Sequence, residues 1–118
     1  MASVRECHPN VRHALAMYEA DPWQEEHPNV MVVLAHEPAP GTDWRDQEGW
    51  GWIFKAWFQS RAESRQAWEA IKAEGWEIEP KSWGRKVRVG VDDGHDGQRL
   101  AEFVLAHWPD VRIQLRND

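Results

Sequence analysis

Residues 50–79, WGWIFKAWFQSRAESRQAWEAIKAEGWEIE, contain the strand and the helix that decide the fold. From Trp50 to Phe58 every even-numbered position carries an aromatic or apolar side chain, whereas the odd-numbered positions include glycine and lysine. Alternation with a period of two, together with aromatic enrichment, is typical of a strand that buries one face. The stretch therefore predicts a strand over residues 50–58.

A helix is predicted directly after this strand. Ser60 and Glu63 have the spacing of a capping box, in which the serine oxygen accepts a hydrogen bond from the glutamate amide and the glutamate side chain reaches back. Gly75 then offers the left-handed backbone conformation that ends many helices. We expect the helix to span residues 61–74.

The remaining C-terminal sequence continues these patterns. It predicts a strand over residues 76–79, a turn over 81–84 and a strand over 86–91. A helix capped by Asp93 or Asp96 follows, and a last strand is expected over 111–116. One face of this helix carries the apolar and aromatic side chains Leu100, Phe103, Val104, His107 and Trp108. The resulting order is strand, helix, strand, strand, helix, strand. It predicts an α+β, ferredoxin-like split βαββαβ fold with an antiparallel sheet and both helices on one face.

The first 48 residues are predicted to extend this body, so that residues 1–118 form a single domain with a body at 49–118. A short helix is expected over residues 11–20. Residues 30–35 form a continuous apolar run, which favours an extra strand buried on both faces. The connection at 37–49 is long and rich in Pro, Gly and Asp, so we expect it to be functional or mobile.

The net charge of −6 lies entirely in this extension. Residues 1–48 hold nine acidic and three basic side chains, whereas residues 49–118 hold eleven of each. Such asymmetry indicates a surface for a partner of opposite charge, although it also serves solubility. The residues expected to contact a basic protein partner are Asp21, Trp23, Glu25, Glu26, Asp43, Trp44, Asp46 and Glu48.

The face of the sheet that the helices leave open is a second candidate surface. The alternation places a set of cations and one aromatic ring there, with Ile53 nearby and Glu77 and Glu79 at one side: Lys55, Trp57, Lys86, Arg88, Arg112, Gln114 and Arg116. The residues expected to bind are Lys55, Trp57, Arg88, Arg112 and Arg116. Sheets of this type bind single-stranded RNA when aromatic side chains stack on bases. The aromatic-rich signature of RNA-recognition sheets is not present, since residues 87–91 carry no ring. The acidic extension is the competing occupant of this face.

The sequence contains no recognisable constellation for catalysis or metal binding. Its six histidines lack metal-ligand spacing, and the single cysteine, Cys7, excludes an internal disulfide. We therefore expect a protein that is not an enzyme and needs neither a metal nor a cofactor. The alternative is a small enzyme or ligand-binding domain with a pocket lined by tryptophans and by His36 or His95.

The order of elements from Trp52 to Leu115 resembles the protein inhibitor family of ribonuclease E. Its members have an aromatic strand, a helix that ends in Gly-aromatic-Glu, a short hairpin, a helix and a last strand, and residues 74–78 here read Glu-Gly-Trp-Glu-Ile. The resemblance covers about half of the chain. The acidic stretches and the closing aromatic-Asp-Gly-Trp segment of that family are absent, so the resemblance implies the fold alone.

These observations favour a non-catalytic regulator or inhibitor, of an immunity or anti-defence type. It would dock on a basic partner such as a nuclease or a nucleic-acid-binding complex. Nucleic-acid binding by the basic sheet face is the alternative. The open face and the sheet edges also allow a homodimer. No apolar run is long enough to span a membrane, and the first residues do not form a secretory signal, so a cytoplasmic location is expected.

Overall fold

The computed structural model describes residues 3–6, 16–19, 21–34, 41–47, 51–76 and 81–117. The strands are β1 (Ser3–Glu6), β2 (Ala16–Glu19), β3 (Val30–Leu34), β4 (Trp52–Trp57), β5 (Lys81–Trp83), β6 (Lys86–Val91) and β7 (Arg112–Asn117). The helices are α1 (Pro22–Glu26), α2 (Arg61–Ala73) and α3 (Gly94–His107), and Trp44–Asp46 form one 3-10 turn.

The strands form one mixed sheet in the order β1-β2-β3-β7-β4-β6-β5. Neighbouring strands are antiparallel except for β3 and β7, which run parallel with Val30 opposite Ile113. The α+β class is thereby confirmed. The predicted wholly antiparallel ferredoxin-like sheet is not confirmed, because β3 joins the sheet in parallel. The apolar run of β3 suits this internal position, since Val32 and Val33 are both buried.

The strand and helix predicted at residues 50–74 form β4 and α2. The side chain of Ser60 accepts the amide of Glu63 at 3.2 Å, and Glu63 Oε2 accepts the amide of Gln59 at 3.1 Å. Gly75 follows the helix with a φ of 82°. Local sequence signals therefore determine both ends of this helix.

The core lies between one face of the sheet and the helices α2 and α3. Strand β4 buries its even-numbered side chains against the helices, as the period of two predicts. Helix α3 packs over β4, β6 and β7, and α2 packs over β5 and β6. Ala67, Ile71, Leu100, Ala101 and Val104 are the helical side chains buried in this core. The opposite face of the central strands is left without a helix among the described residues.

The predicted helix at residues 11–20 is wrong where the structure describes it, because Ala16–Glu19 form β2. Residues 11–15 lie outside the described part. Strand β2 pairs with β1 on one side and with β3 on the other, and this non-local pairing overrides the local helical pattern. A helix does occur slightly later, at Pro22–Glu26, where Asp21 accepts the amide of Gln24 and caps it.

The hairpin after α2 also differs from the prediction. The strand expected at residues 76–79 falls mostly on residues outside the described part, since only Trp76 of that stretch is described and it is not in a strand. Lys81–Trp83, expected as a turn, form β5, and Trp83 pairs with Lys86. The connection is therefore a two-residue turn, in which Gly84 has the positive φ that such turns require.

Candidate functional site

A group of cations surrounds Trp57 on the face of the sheet opposite the helices. Strand β4 contributes Lys55 and Trp57 to this face. Strand β6 pairs Lys86 with Trp57 and Arg88 with Lys55, and β7 pairs Arg112 with Trp57 from the other side. Side chains at paired positions lie on the same face, about 5 Å apart at Cβ. The register therefore gathers these five side chains on three adjacent strands.

Arg116 extends this group along β7, where it pairs with Ile53. We call the six side chains the basic sheet face: Lys55, Trp57, Lys86, Arg88, Arg112 and Arg116. All six side chains were predicted for this surface, and the register brings them together, whereas Glu77 and Glu79 lie outside the described residues.

Trp57 is the large hydrophobic side chain that the described part of the chain leaves exposed, with 39% of its surface accessible. Lys86 Nζ lies 5.6 Å from the centroid of the Trp57 ring, which is a cation–π distance. Trp57 is not among the buried core residues, and part of its ring is accessible to solvent. Its position between Lys86 and Arg112 is that of a ring available to a ligand.

The basic sheet face concentrates like charge. Lys55 and Arg88 are directly opposite each other in the register, an arrangement that destabilises a sheet. The positions on β3, β4, β6 and β7 whose side chains share this face carry no acidic residue. Among the described residues, Arg88 and Arg112 have no hydrogen-bond or ion-pair partner. Hydrogen bonds and ion pairs within the described part of the chain therefore do not account for the presence of these two arginines.

The β3 side of the same face is closed. Val33 pairs with Arg116 and is only 1% exposed, and Gln114 beside Lys55 is 9% exposed. The accessible part is therefore centred on Trp57. The extension contributes β3 to the sheet beside β7, and the register places Met31 and Val33 of β3 on this face.

The acidic residues predicted to bind a partner lie at the other end of β4, on the helix side. We call this region the acidic end and define it by Asp21, Glu25, Glu26, Asp43, Asp46, Asp92, Asp93 and Asp96. It is built from α1, the 3-10 turn and the start of α3. The turn is joined to the sheet because the backbone oxygen of Gln47 accepts Trp52 Nε1 and Asn117 Nδ2, each at 3.1 Å.

Asp21 is the centre of the contacts that hold the acidic end together. It accepts the Gln24 amide at 2.9 Å and Trp44 Nε1 at 2.9 Å, and it pairs with Arg45 Nη1 at 2.5 Å. Burial disfavours the charged carboxylate, but these hydrogen bonds and the Arg45 charge outweigh it. They hold the pKa of Asp21 below its ordinary value.

The aromatic side chains of the acidic end are packed inward. Trp44 is completely buried, so its ring contacts the chain itself and cannot contact a partner. Arg45 Cζ lies 4.4 Å from the Trp44 ring centroid, and the Trp23 ring stacks on His27 at 4.5 Å. Trp23 Nε1 also donates to Glu102 of α3 at 2.9 Å. These contacts give Trp23 and Trp44 a structural role.

Further contacts tie the 3-10 turn to α3. His95 Nε2 lies 2.6 Å from Asp46 Oδ1, and Arg45 Nε donates to Gln98 Oε1. The close approach of the turn to α3 requires a glycine at position 94, because a Cβ there would lie 2.5 Å from the Arg45 Cα. The sequence alone did not reveal these contacts of Arg45, since all its partners except Asp43 and Trp44 are distant in the chain.

The predicted partner-binding residues thus divide into three groups. Glu25 and Glu26 are exposed on α1, and Asp43 and Asp46 are exposed although each has a partner within the fold. Asp21, Trp23 and Trp44 are engaged in packing as described above. Glu48 lies outside the described residues, as does His36 of the alternative pocket.

A small pocket opens at the end of the sheet where β4 ends and β7 begins. Its volume is about 90 Å³, and its lining includes Phe58, Glu63, His107, Trp108 and Asp110. His107 was expected on the buried face of α3 but is exposed, with Nδ1 3.1 Å from the Phe103 oxygen. His95 of the alternative prediction is not part of this lining.

Metal and membrane features are absent from the part of the chain that the structure describes. The described residues include no group of three or more His, Cys, Asp or Glu side chains that could hold a metal ion. None of the described helices is both long and apolar enough to cross a membrane.

Comparisons with known proteins give no family for this chain. No protein-family model matches it. No curated protein and no solved structure matches it either. The resemblance to the protein inhibitor family of ribonuclease E therefore depends on the order of elements alone.

Proposed function

We propose that this protein binds single-stranded nucleic acid through the basic sheet face, with a base stacked on Trp57 and phosphates bound by the surrounding cations. The observation that carries the proposal is the exposed Trp57 ring, which the register sets between Lys86 and Arg112. The described positions of β3, β4, β6 and β7 on this face carry no acidic residue. Aromatic platforms within positively charged surfaces are the usual means of binding single strands.

The spacing of the sheet supports this assignment. Residues two apart on a strand are separated by roughly 6.6–6.8 Å, and neighbouring strands by roughly 4.8 Å. Lys55 is one such step from Trp57 along β4, and Arg88 is on the next strand. Long basic side chains at these distances reach the phosphates on either side of a stacked base.

The acidic end lies far from Trp57. The acidic end is joined to the sheet at Trp52, and β4 separates Trp52 from Trp57 by about 17 Å. The Debye length at physiological ionic strength is about 8 Å. The charges of the acidic end are therefore largely screened at Trp57.

We further propose that residues 52–117 form a ferredoxin-like unit to which β3 adds a parallel strand. The strand order β7-β4-β6-β5 with antiparallel neighbours supports this assignment. In sheets of this type the two central strands carry the stacking side chains. Trp57 lies on β4, which is one of these two strands.

The test is fluorescence anisotropy with a labelled twelve-nucleotide oligouridine at low salt. Trp57→Ala should weaken binding about 5- to 150-fold, since base stacking on an aromatic side chain contributes about 1–3 kcal/mol. Trp57→Phe should keep most of the affinity because it keeps a ring. Arg65→Ala removes an exposed positive charge on α2, on the helix side of the sheet. It is the control for a surface away from this face and should leave the affinity almost unchanged.

Two results would contradict the proposal. The wild-type protein could fail to bind the oligonucleotide at any salt concentration, or Arg65→Ala could weaken binding as much as Trp57→Ala does. The second result would mean that the affinity does not depend specifically on this face.

A second candidate function is the docking of the acidic end on a basic partner protein, as a small regulator or inhibitor. The exposure of Glu25 and Glu26 on α1 and of Asp92 and Asp93 before α3 favours it. A pull-down at low salt should recover a basic protein with the wild type but not with the double variant Glu25→Gln, Glu26→Gln. Equal recovery by both proteins would exclude these two carboxylates as the contact.

A further inference from the structure

The pocket at the end of the sheet combines two carboxylates with aromatic rings. Its lining includes Glu63 from α2, Asp110 from the turn before β7, and the rings of Phe58, His107 and Trp108. The lining contains no lysine or arginine. A cavity with anionic and aromatic walls has the chemistry that recognises a cation.

The rings are held in fixed positions by contacts with one another. Phe58 and Trp108 meet edge to face, with ring centroids 5.7 Å apart and planes at 90°. His107 lies against Trp108 at 5.5 Å. Phe58 is buried in the core and Trp108 is partly buried against it. The pocket wall is therefore preorganised, which lowers the entropic cost of binding.

The carboxylates retain capacity for a ligand. Glu63 Oε2 accepts the Gln59 amide at 3.1 Å, and the second oxygen of the same group is left for another donor. Asp110 is exposed, and within the described part of the chain it has no ion-pair partner. Two acceptors beside an aromatic wall match the several donors of a guanidinium group.

We propose that this pocket binds the cationic head of an arginine side chain from a partner protein. One bound water needs roughly 10–15 Å³ of comparable cavity volume. At about 90 Å³, the pocket holds one small cationic group and not a larger ring system. The site lies on the helix side of the sheet, because Phe58 belongs to the core, so it does not depend on the nucleic-acid proposal.

The test follows the Trp108 indole N–H signal in ¹H–¹⁵N NMR spectra while the capped tripeptide Ac-Gly-Arg-Gly-NH₂ is added. The matched ligand contains citrulline in place of arginine, which keeps the shape and removes the charge. The arginine peptide should give a saturable shift in the millimolar range, and the citrulline peptide should not. Methylguanidinium chloride, added separately, tests the isolated cationic head.

The variants Glu63→Gln and Asp110→Asn should each weaken binding about two- to fivefold, as expected for single exposed charge pairs. Glu63→Gln keeps an oxygen that accepts the Gln59 amide, so the start of α2 is preserved. Glu69→Gln, which neutralises an exposed carboxylate elsewhere on α2, is the control and should leave the affinity unchanged.

Four outcomes would overturn the inference. They are the absence of a saturable shift, equal binding of the citrulline peptide, unchanged affinity in the double variant Glu63→Gln, Asp110→Asn, and binding of methylguanidinium without binding of the peptide. None of these results would affect the oligonucleotide test of the basic sheet face, which uses different residues.

Discussion

The acidic end and the basic sheet face use charge in opposite ways. At the acidic end, Asp21, Asp43 and Asp46 are paired with Arg45 or His95, or cap the start of a helix or turn. On the basic sheet face, Lys55 and Arg88 are directly opposite each other, and the described positions of β3, β4, β6 and β7 on this face carry no acidic residue. Opposite charges in contact stabilise the acidic end, whereas like charges on paired strand positions destabilise the sheet.

The tryptophans of the two regions offer the sharpest test of this comparison. Trp44→Ala should lower the free energy of unfolding by about 3–5 kcal/mol, because the Trp44 ring is fully buried. Trp57→Ala should cost about 1 kcal/mol or less, because the partly exposed ring loses only its cross-strand contacts with Lys86 and Arg112. Urea unfolding of both variants gives the two values. Similar losses of unfolding free energy in the two variants would contradict the difference in burial between Trp44 and Trp57.

The next largest effect concerns the close approach of the 3-10 turn to α3. A Cβ on Gly94 would lie 2.5 Å from the Arg45 Cα, so Gly94→Ala must displace backbone and should cost about 1–3 kcal/mol. Gly97→Ala is the matched control in the same helix, since its Cβ meets only the end of the Leu115 side chain at 3.1 Å.

The stability of both glycine variants can be measured by thermal unfolding. Gly97→Ala should be close to neutral, because the helix preference for alanine offsets the small adjustment of Leu115. A Gly94→Ala protein as stable as the wild type would show that the turn is not held against α3.

Asp21→Asn tests the charge that organises the acidic end. Asparagine can still cap α1, but it loses the ion pair with Arg45, and we expect a loss of roughly 1–2 kcal/mol at neutral pH. The pKa of Asp21 is lowered by folding, so its contribution is present above the unfolded value of 3.8 and is lost as the pH falls through the folded value.

The stabilities of the wild type and Asp21→Asn should therefore converge as the solution is acidified. Glu25→Gln, an exposed neighbour on α1, should differ little from the wild type at any pH. A constant difference between the wild type and Asp21→Asn down to strongly acidic pH would mean that the charge is not what stabilises this region.

The smallest expected effect lies on the basic sheet face and has the opposite sign. Arg88→Gln relieves the contact with Lys55 and should raise the stability by a few tenths of a kcal/mol. The same change should reduce the salt dependence of oligonucleotide binding by about 0.7 in the slope of log K against log salt. Arg65→Gln should alter neither quantity. A destabilised Arg88→Gln protein would contradict the comparison.

Local signals predicted the parts of the fold that depend on neighbouring residues. Ser60, Glu63 and Gly75 determine the ends of α2, and the period of two in β4 identified its buried face. These features need no knowledge of distant partners. The positions of the basic sheet face followed from the same alternation.

Non-local contacts account for what the sequence did not predict. Strand β2 appeared helical because its pairing with β1 and β3 is not visible locally. The burial of Trp44 depends on Asp21, which is 23 residues away. The pocket beside Trp108 requires α2 and the turn before β7 to meet. Its residues carry no common motif.

The parallel pairing of β3 with β7 has a consequence for how the chain folds. Val30 and Ile113 are neighbours in the sheet although most of the chain separates them. During synthesis, the apolar run of β3 leaves the ribosome well before β7 is made. Contacts between such distant segments slow folding, and unpaired apolar strands promote aggregation. Substitutions that weaken β7 should therefore lower the yield of soluble protein more than their effect on the folded state would indicate.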